Sequence, residues 1–247
     1  DTLTGSSTAG NSLTGENTTN TWTITGANAG TLNDGSETLT FSNFGTWNGG
    51  TATDTLVGDN GGDAFNITAN DAGNVTGLVT SFTSMQNLIG GSGNDTFTFS
   101  NGKTLSGTVD GTTGSDAIDY SAYTTATDVV LTGSDANGYA GTDGGITGGF
   151  SHIDTLTGSS TAGNSLTGEN TTNAWSITGN DSGTLNDGTA PLTWSNFGSL
   201  IGGSGNDTFT FSNGKTLSGT VDGTTGSDAI DYSAYTTATD VVLTGSD

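Results

Sequence analysis

Residues 89–135 recur without a change as residues 201–247, 112 positions further on. A segment present twice must find the same surroundings twice, and an array that stacks on itself supplies them. A second pair brackets the first. Residues 1–26 and 154–179 agree at 24 of 26 positions, with Thr21 against Ala174 and Thr23 against Ser176 as the differences. That offset is 153, so the second copy lacks a 41-residue block, roughly residues 46–86. The chain reads as two modules of one continuous array, residues 1–153 and a shorter, truncated 154–247. A finer interval runs inside them. Asp95-Thr96-Phe97 is followed, at an offset of 21, by Asp116-Ala117-Ile118, and Asp207 and Asp228 keep the same step. A sequence that opens and closes in mid-repeat is expected to be a window on a longer array.

Local patterning assigns the repeat to strands. Thr21-Trp22-Thr23-Ile24-Thr25, Thr38-Leu39-Thr40-Phe41, Asp95-Thr96-Phe97-Thr98-Phe99 and Asp116-Ala117-Ile118-Asp119-Tyr120 alternate apolar with polar. Period two, rich in Thr and aromatics, describes a short strand with one buried face. Gly, Asn, Asp and Ser fill the gaps and supply turns. No amphipathic stretch of helical length stands out. The expected fold is all-β: a parallel β-solenoid of about 21 residues per coil and about 12 coils. Parallel crossovers favour the right hand. Coils stacked at about 4.8 Å would make a rod about 55–60 Å long.

Composition excludes much else. Leu, Ile, Val and Phe total 44 of 247 residues and the net charge is −23, a balance that in an ordinary chain means disorder. A single Pro argues against a disordered linker. A compact globule would bury too little apolar surface to offset chain entropy, whereas a solenoid adds ladder hydrogen bonds along every strand. Two Lys and no Arg cannot neutralise a phosphate backbone, so nucleic acid is not an expected partner. No apolar run is long enough for a membrane span. The absence of Cys excludes disulfides and thiolate sites, and fits a secreted chain.

Ile89-Gly90-Gly91-Ser92-Gly93-Asn94-Asp95-Thr96-Phe97, repeated at residues 201–209, resembles the calcium-binding nonapeptide G-G-x-G-x-D-x-apolar-x of RTX proteins. Residues 49–57, 58–66 and 110–121 look like degenerate relatives. More broadly the chain resembles the repeat regions of large bacterial surface proteins of haemagglutinin-like and RTX-adhesin type. The resemblance implies a secreted or surface-displayed β-solenoid used as stalk, fibre or adhesin. It also implies calcium at Asp54, Asp63, Asp95, Asp116, Asp207 and Asp228, the ligand positions of the motif. The sequence departs from the family in that full copies are isolated, with Ala52 and Asp59 in place of motif glycines. The simpler reading makes each Asp a turn-closing acceptor for backbone N–H groups.

No catalytic residue is assigned. His152 is the only His and has no companion in sequence; Lys103 and Lys215 are one repeat position occurring twice. The pair Asp116 and Asp119 recurs as Asp228 and Asp231, as a structural corner would. Trp22 and Trp175 are repeat equivalents, read first as a core stack and second as an outward platform for sugars. The expected function is therefore structural: a stiff acidic rod in an extracellular filament or adhesin at the bacterial cell surface. Its expected partners are copies of itself, further repeats of the same chain, or surface glycans. The alternatives are a calcium-binding RTX-type module and a carbohydrate-binding or polysaccharide-processing β-helix.

Overall fold

The computed structural model describes residues 1–242. Among them there is no helix, and 26 strands form two 13-stranded sheets. In the order in which they lie side by side, sheet I contains Thr2–Thr4, Thr38–Ser42, Ala29–Asn33, Thr21–Gly26, Thr55–Val57, Asn87–Gly91, Val109–Thr112, Phe150–Ile153, Gly138–Thr142, Asp128–Asp135, Ser165–Thr167, Ser199–Ile201 and Val221–Asp222. Sheet II contains Ser12–Thr14, Thr46–Asn48, Val79–Thr83, Ala72–Val75, Ala64–Ala69, Thr96–Phe99, Ala117–Asp119, Thr155–Thr157, Pro191–Ser195, Ser182–Asn186, Ala174–Gly179, Thr208–Phe211 and Ala229–Asp231. The chain passes from one sheet to the other and back, so successive coils pair in parallel. This is a β-solenoid, and its two sheets run unbroken across the boundary at residues 153 and 154.

Inward-facing side chains stack along the coil axis. In sheet I, Trp22, Leu56, Leu88 and Val109 are register partners in succession. In sheet II the series is Phe65, Phe97, Ile118, Leu156 and Trp194. All are buried. Aromatic rings stack where neighbours allow it: Phe65 on Phe97 with centroids 4.9 Å apart, and Trp175 on Phe209 at 5.7 Å. The few apolar residues thus fall on two ladders, and their alternation with Thr, Ser and Asn leaves the outer faces polar.

The uniform 21-residue coil is corrected. An offset of 21 does separate Leu88 from Val109, Thr96 from Ala117, Leu200 from Val221 and Thr208 from Ala229. Elsewhere parallel neighbours lie further apart, at an offset of 34 for Thr21 and Thr55 and again for Ser165 and Ser199. Most coils are accordingly wider, commonly about 34 residues apart, and they are fewer than twelve. The added length is strand. Four times the chain runs forward, turns back antiparallel, and turns again before crossing over: residues 21–42, 64–83, 128–153 and 174–195.

Local sequence explains these excursions. Each opens with a two-residue turn, at residues 27–28, 70–71, 136–137 and 180–181. Asn28, Asp71 and Asp181 take left-handed φ values of 55°, 52° and 51° there, which Asn and Asp tolerate best after Gly. The middle strand then carries a glycine facing an aromatic on the third: Gly30 opposite Phe41, Gly73 opposite Phe82, Gly141 opposite Phe150, Gly183 opposite Trp194. A Cβ at any of these would stand only 2.5–3.1 Å from the ring, so the ring takes the room the glycine leaves.

The parity of these passes has a geometric effect. Thr2–Thr4 lies in sheet I, but its repeat equivalent Thr155–Thr157 lies in sheet II. Asn87–Gly91 and its equivalent Ser199–Ile201 both lie in sheet I. The block 46–86, present once, holds three passes: sheet II, sheet I and sheet II again.

Coil stacking is tightest at the corner of the nonapeptide. A Cβ on Gly93 would overlap the carbonyl oxygen of Gly61 in the adjacent coil, whereas one on Gly133 would meet nothing. Gly93→Ala should therefore cost at least about 3 kcal/mol of folding free energy and Gly133→Ala should be close to neutral. Denaturant unfolding of the two variants checks this, and equal effects would contradict the stacking.

Candidate functional site

The six aspartates singled out by the motif all stand one residue before a strand. Five of them accept the backbone N–H of the equivalent corner in the preceding coil on Oδ1. Asp63 N–H donates to Asp95 Oδ1 at 2.7 Å, and Asp95 N–H to Asp116 Oδ1 at 2.8 Å. Asp207 N–H donates to Asp228 Oδ1 at 3.0 Å, and Asn173 N–H to Asp207 Oδ1 at 2.8 Å. On the other edge Asn20 donates to Asp54 Oδ1 through both N–H and Nδ2. The sixth, Asp63, accepts Asp59 N–H from its own turn on Oδ2. The series continues through side chains outside the motif. Asp116 N–H donates to Asp154 Oδ2 at 2.8 Å, Asp54 N–H to Gln86 Oε1, and Thr127 N–H to Asn164 Oδ1. A corner N–H lies outside the regular ladders and would be orphaned on burial; a side chain from the next coil satisfies it.

The glycine five positions upstream of each Asp makes this possible. Gly49, Gly58, Gly90, Gly111, Gly202 and Gly223 each lie against the Oδ2 atom of Asp54, Asp63, Asp95, Asp116, Asp207 and Asp228 respectively, in the space a Cβ would fill. Glycine thus stands at this motif position because the carboxylate occupies the volume of a side chain. A second tie runs the opposite way: Asn94 Oδ1 accepts Ser115 N–H at 2.9 Å, and Asn206 Oδ1 accepts Ser227 N–H at 2.8 Å. Sequence reading missed the parts of Asn20, Gln86, Asn94, Asn164, Asn173 and Asn206. The signal was present as Asn-Asp recurring before Thr-Phe.

Burial makes the ladder electrostatically unusual. Asp54, Asp95 and Asp116 are fully buried, and one oxygen of each, like Oδ2 of Asp207, has no hydrogen-bond partner. Desolvation pushes the Asp116 carboxyl up to about 7; the Asp95 N–H opposes this, and the Asp95, Asp154 and Asp110 charges add to it. Desolvation likewise raises Asp63 to about 6, and Asp54 and Asp95 above the ordinary carboxyl value. Among the described residues no three His, Cys, Asp or Glu side chains gather in a group that would hold a metal ion.

Two other sequence readings are revised. Trp22 and Trp175 are fully buried: Trp22 stacks on Trp47 at 5.7 Å with Phe41 edge-on, and Trp175 packs between Trp194 and Phe209. The outward sugar platform is thus corrected; strand alternation turns both indoles inward. His152 has companions that its sequence neighbours did not reveal. Its Nδ1 lies 2.6 Å from Asp110 Oδ1 and its Nε2 3.2 Å from Asp135 Oδ2, with its own backbone at φ 54°. The hydrogen bond to Asp110 raises its pKa above 6.5, aided by the two negative charges.

No protein-family model matches the chain, and neither curated proteins nor solved structures give a match.

Raised carboxyl pKa values make folding favour the neutral acid. That stabilisation is complete below the ordinary value of 3.8 and is lost as pH rises through about 6 for Asp63 and about 7 for Asp116. His152, also raised, acts in the same direction. The thermal midpoint should therefore rise as pH falls from neutrality toward 4. Asp116→Asn keeps the acceptor for Asp95 N–H, as Asn164 does for Thr127, so it should raise the midpoint at neutral pH and flatten the profile. A variant profile parallel to that of the native chain would refute the assignment.

Proposed function

We propose that this chain is a structural segment of an extracellular bacterial filament or adhesin, a stiff acidic β-solenoid rod for surface display or attachment. The observation that carries the reading is the continuity of both sheets through 13 strand rows, with a buried side-chain ladder beneath each. At about 4.8 Å per row this is about 60 Å of rod held by hydrogen bonds along its axis. A fixed crossover hand, right-handed by steric preference, gives such a rod a regular twist. Corner side chains tie coil to coil where the ladders end, which favours rigidity and few exposed backbone sites for proteases. The net charge of −23 keeps the surface hydrated and opposes lateral clumping. Partners in this reading are further repeats of the chain, other copies of it, and surface glycans as an attachment target. Fibre diffraction or electron microscopy of the source material tests it. A fibre a few nanometres wide with an axial repeat near 4.8 Å is expected, and a compact particle would overturn it.

A second reading, a calcium-binding module, is supported by the two full nonapeptides and the unpartnered Oδ2 atoms of Asp95 and Asp207. Calcium needs six to eight oxygens, so neighbouring turns would have to contribute together. On this reading calcium raises the thermal midpoint; a titration that leaves midpoint and circular dichroism unchanged removes it.

A further inference from the structure

The first module touches the second at a corner whose negative charge has no balance in the chain. Residues 168–173 stand in the place of a nonapeptide corner, with Asn173 where the motif has Asp and Glu169 where it has its second glycine. The turn closes on itself, Asn173 Nδ2 donating to the Glu169 carbonyl at 2.9 Å. Pairing of Ala174 with Asn186 brings Asp187 to this corner. Pairing of Asp128, Val129 and Val130 with Ser165, Leu166 and Thr167 lays the hairpin of residues 128–142 alongside it.

The tip of that hairpin docks through side chains. Ser134 and Tyr139 are partners across it. The Ser134 hydroxyl donates to Asp187 Oδ2. The Tyr139 hydroxyl donates to the Ala190 carbonyl at 2.9 Å and accepts Asp187 N–H at 3.2 Å. Asp187 Oδ1 accepts Thr189 N–H at 2.8 Å. Glu169 is enclosed with them: it is only 8% exposed, and its Oε1 is buried with no hydrogen-bond partner. Burial raises the Glu169 carboxyl above its ordinary value, the Asp187 charge adds to this, and the Ser134 hydroxyl opposes it.

Neither carboxylate has a basic partner. The chain holds two Lys and one His, and the ion pairs among the described residues are those of His152 with Asp110 and Asp135. A buried carboxylate with a bare oxygen, beside a second carboxylate, is costly unless a cation or a proton joins them. The donors are all hard oxygens with lone pairs to spare. Such a set suits calcium, which takes carboxylates singly or bidentate in flexible geometry, better than magnesium, which demands a near-ideal octahedron.

We propose that Glu169, Asp187 and Ser134 bind one calcium ion, a staple between the hairpin of the first module and two turns of the second. The two carboxylates and the hydroxyl supply about five oxygens, and water completes the shell. With two acidic ligands the site needs no trio of His, Cys, Asp or Glu. It lies outside the nonapeptides and does not rest on the calcium-module reading.

Calorimetric titration and thermal melts of the native chain, Glu169→Gln and Ser134→Ala test it, in calcium, in magnesium and in chelator, at physiological salt. The native midpoint should climb with calcium concentration and respond far less to magnesium. Glu169→Gln should melt in chelator no lower than the native chain, since it removes a buried charge, and should lose this ion. Ser134→Ala should keep the fold and bind calcium about tenfold more weakly. A native chain indifferent to calcium, with Glu169→Gln raising the midpoint, would mean that a proton joins the two carboxylates, and would overturn the site. Equal responses to calcium and magnesium would overturn it as diffuse counterion binding. A calcium response undiminished in both variants would also overturn it, while leaving the nonapeptide reading standing.

Discussion

Each corner of the coil buries a backbone N–H that no strand can reach, and the rest of the architecture follows from how that group is satisfied. The acceptor is a side chain of the next coil: Asp95 for Asp63, Asp116 for Asp95, Asn164 for Thr127. This one bond fixes the vertical register of neighbouring coils. Where the acceptor is one of the motif aspartates, it also dictates a glycine five positions upstream, because the carboxylate needs the room, and so writes the motif into the sequence. The same burial lifts the carboxyl pKa values. An acidic solenoid stacked on its own aspartates is workable because the buried ones are the easiest to neutralise, while the remaining charge stays in water.

Composition alone pointed to disorder, and the structure shows why the average misleads. The bulky apolar residues are few, but most of the described ones land on a ladder where they touch their own kind above and below, as Leu88 does between Leu56 and Val109. A globule would need a core many residues across; a solenoid needs one or two per strand.

Strand content, parallel stacking and the step from Asp95 to Asp116 were legible in the sequence. The wider coils were not, for a definite reason. The short interval was read from segments that contain no back-fold, and it was extended to segments that do. The cue was there in Asn28, Asp71 and Asp181 followed by a glycine two positions on, a two-residue turn leading into a strand with a gap for an aromatic ring. Periodicity reports the strands and is blind to their direction. At the corners, the Asp positions were found but their acceptor role stood only as the simpler of two readings, since a turn motif carries no information about which coil its side chain reaches. The partners of His152, Asp110 and Asp135, lie far from it in the chain, beyond any local pattern.

The block of residues 46–86 adds an odd number of passes, which is why the segment beginning at Thr2 lies in one sheet and its repeat at Thr155 in the other. Such a block is a half-turn adaptor. Inserting or deleting one exchanges the stacking partners at its borders, Leu56 beside Trp22 for Phe209 beside the equivalent Trp175, and moves all that follows to the opposite side of the rod. An array built from long and short modules can therefore choose, by gene-level duplication alone, whether a surface feature recurs along one side or alternates between two.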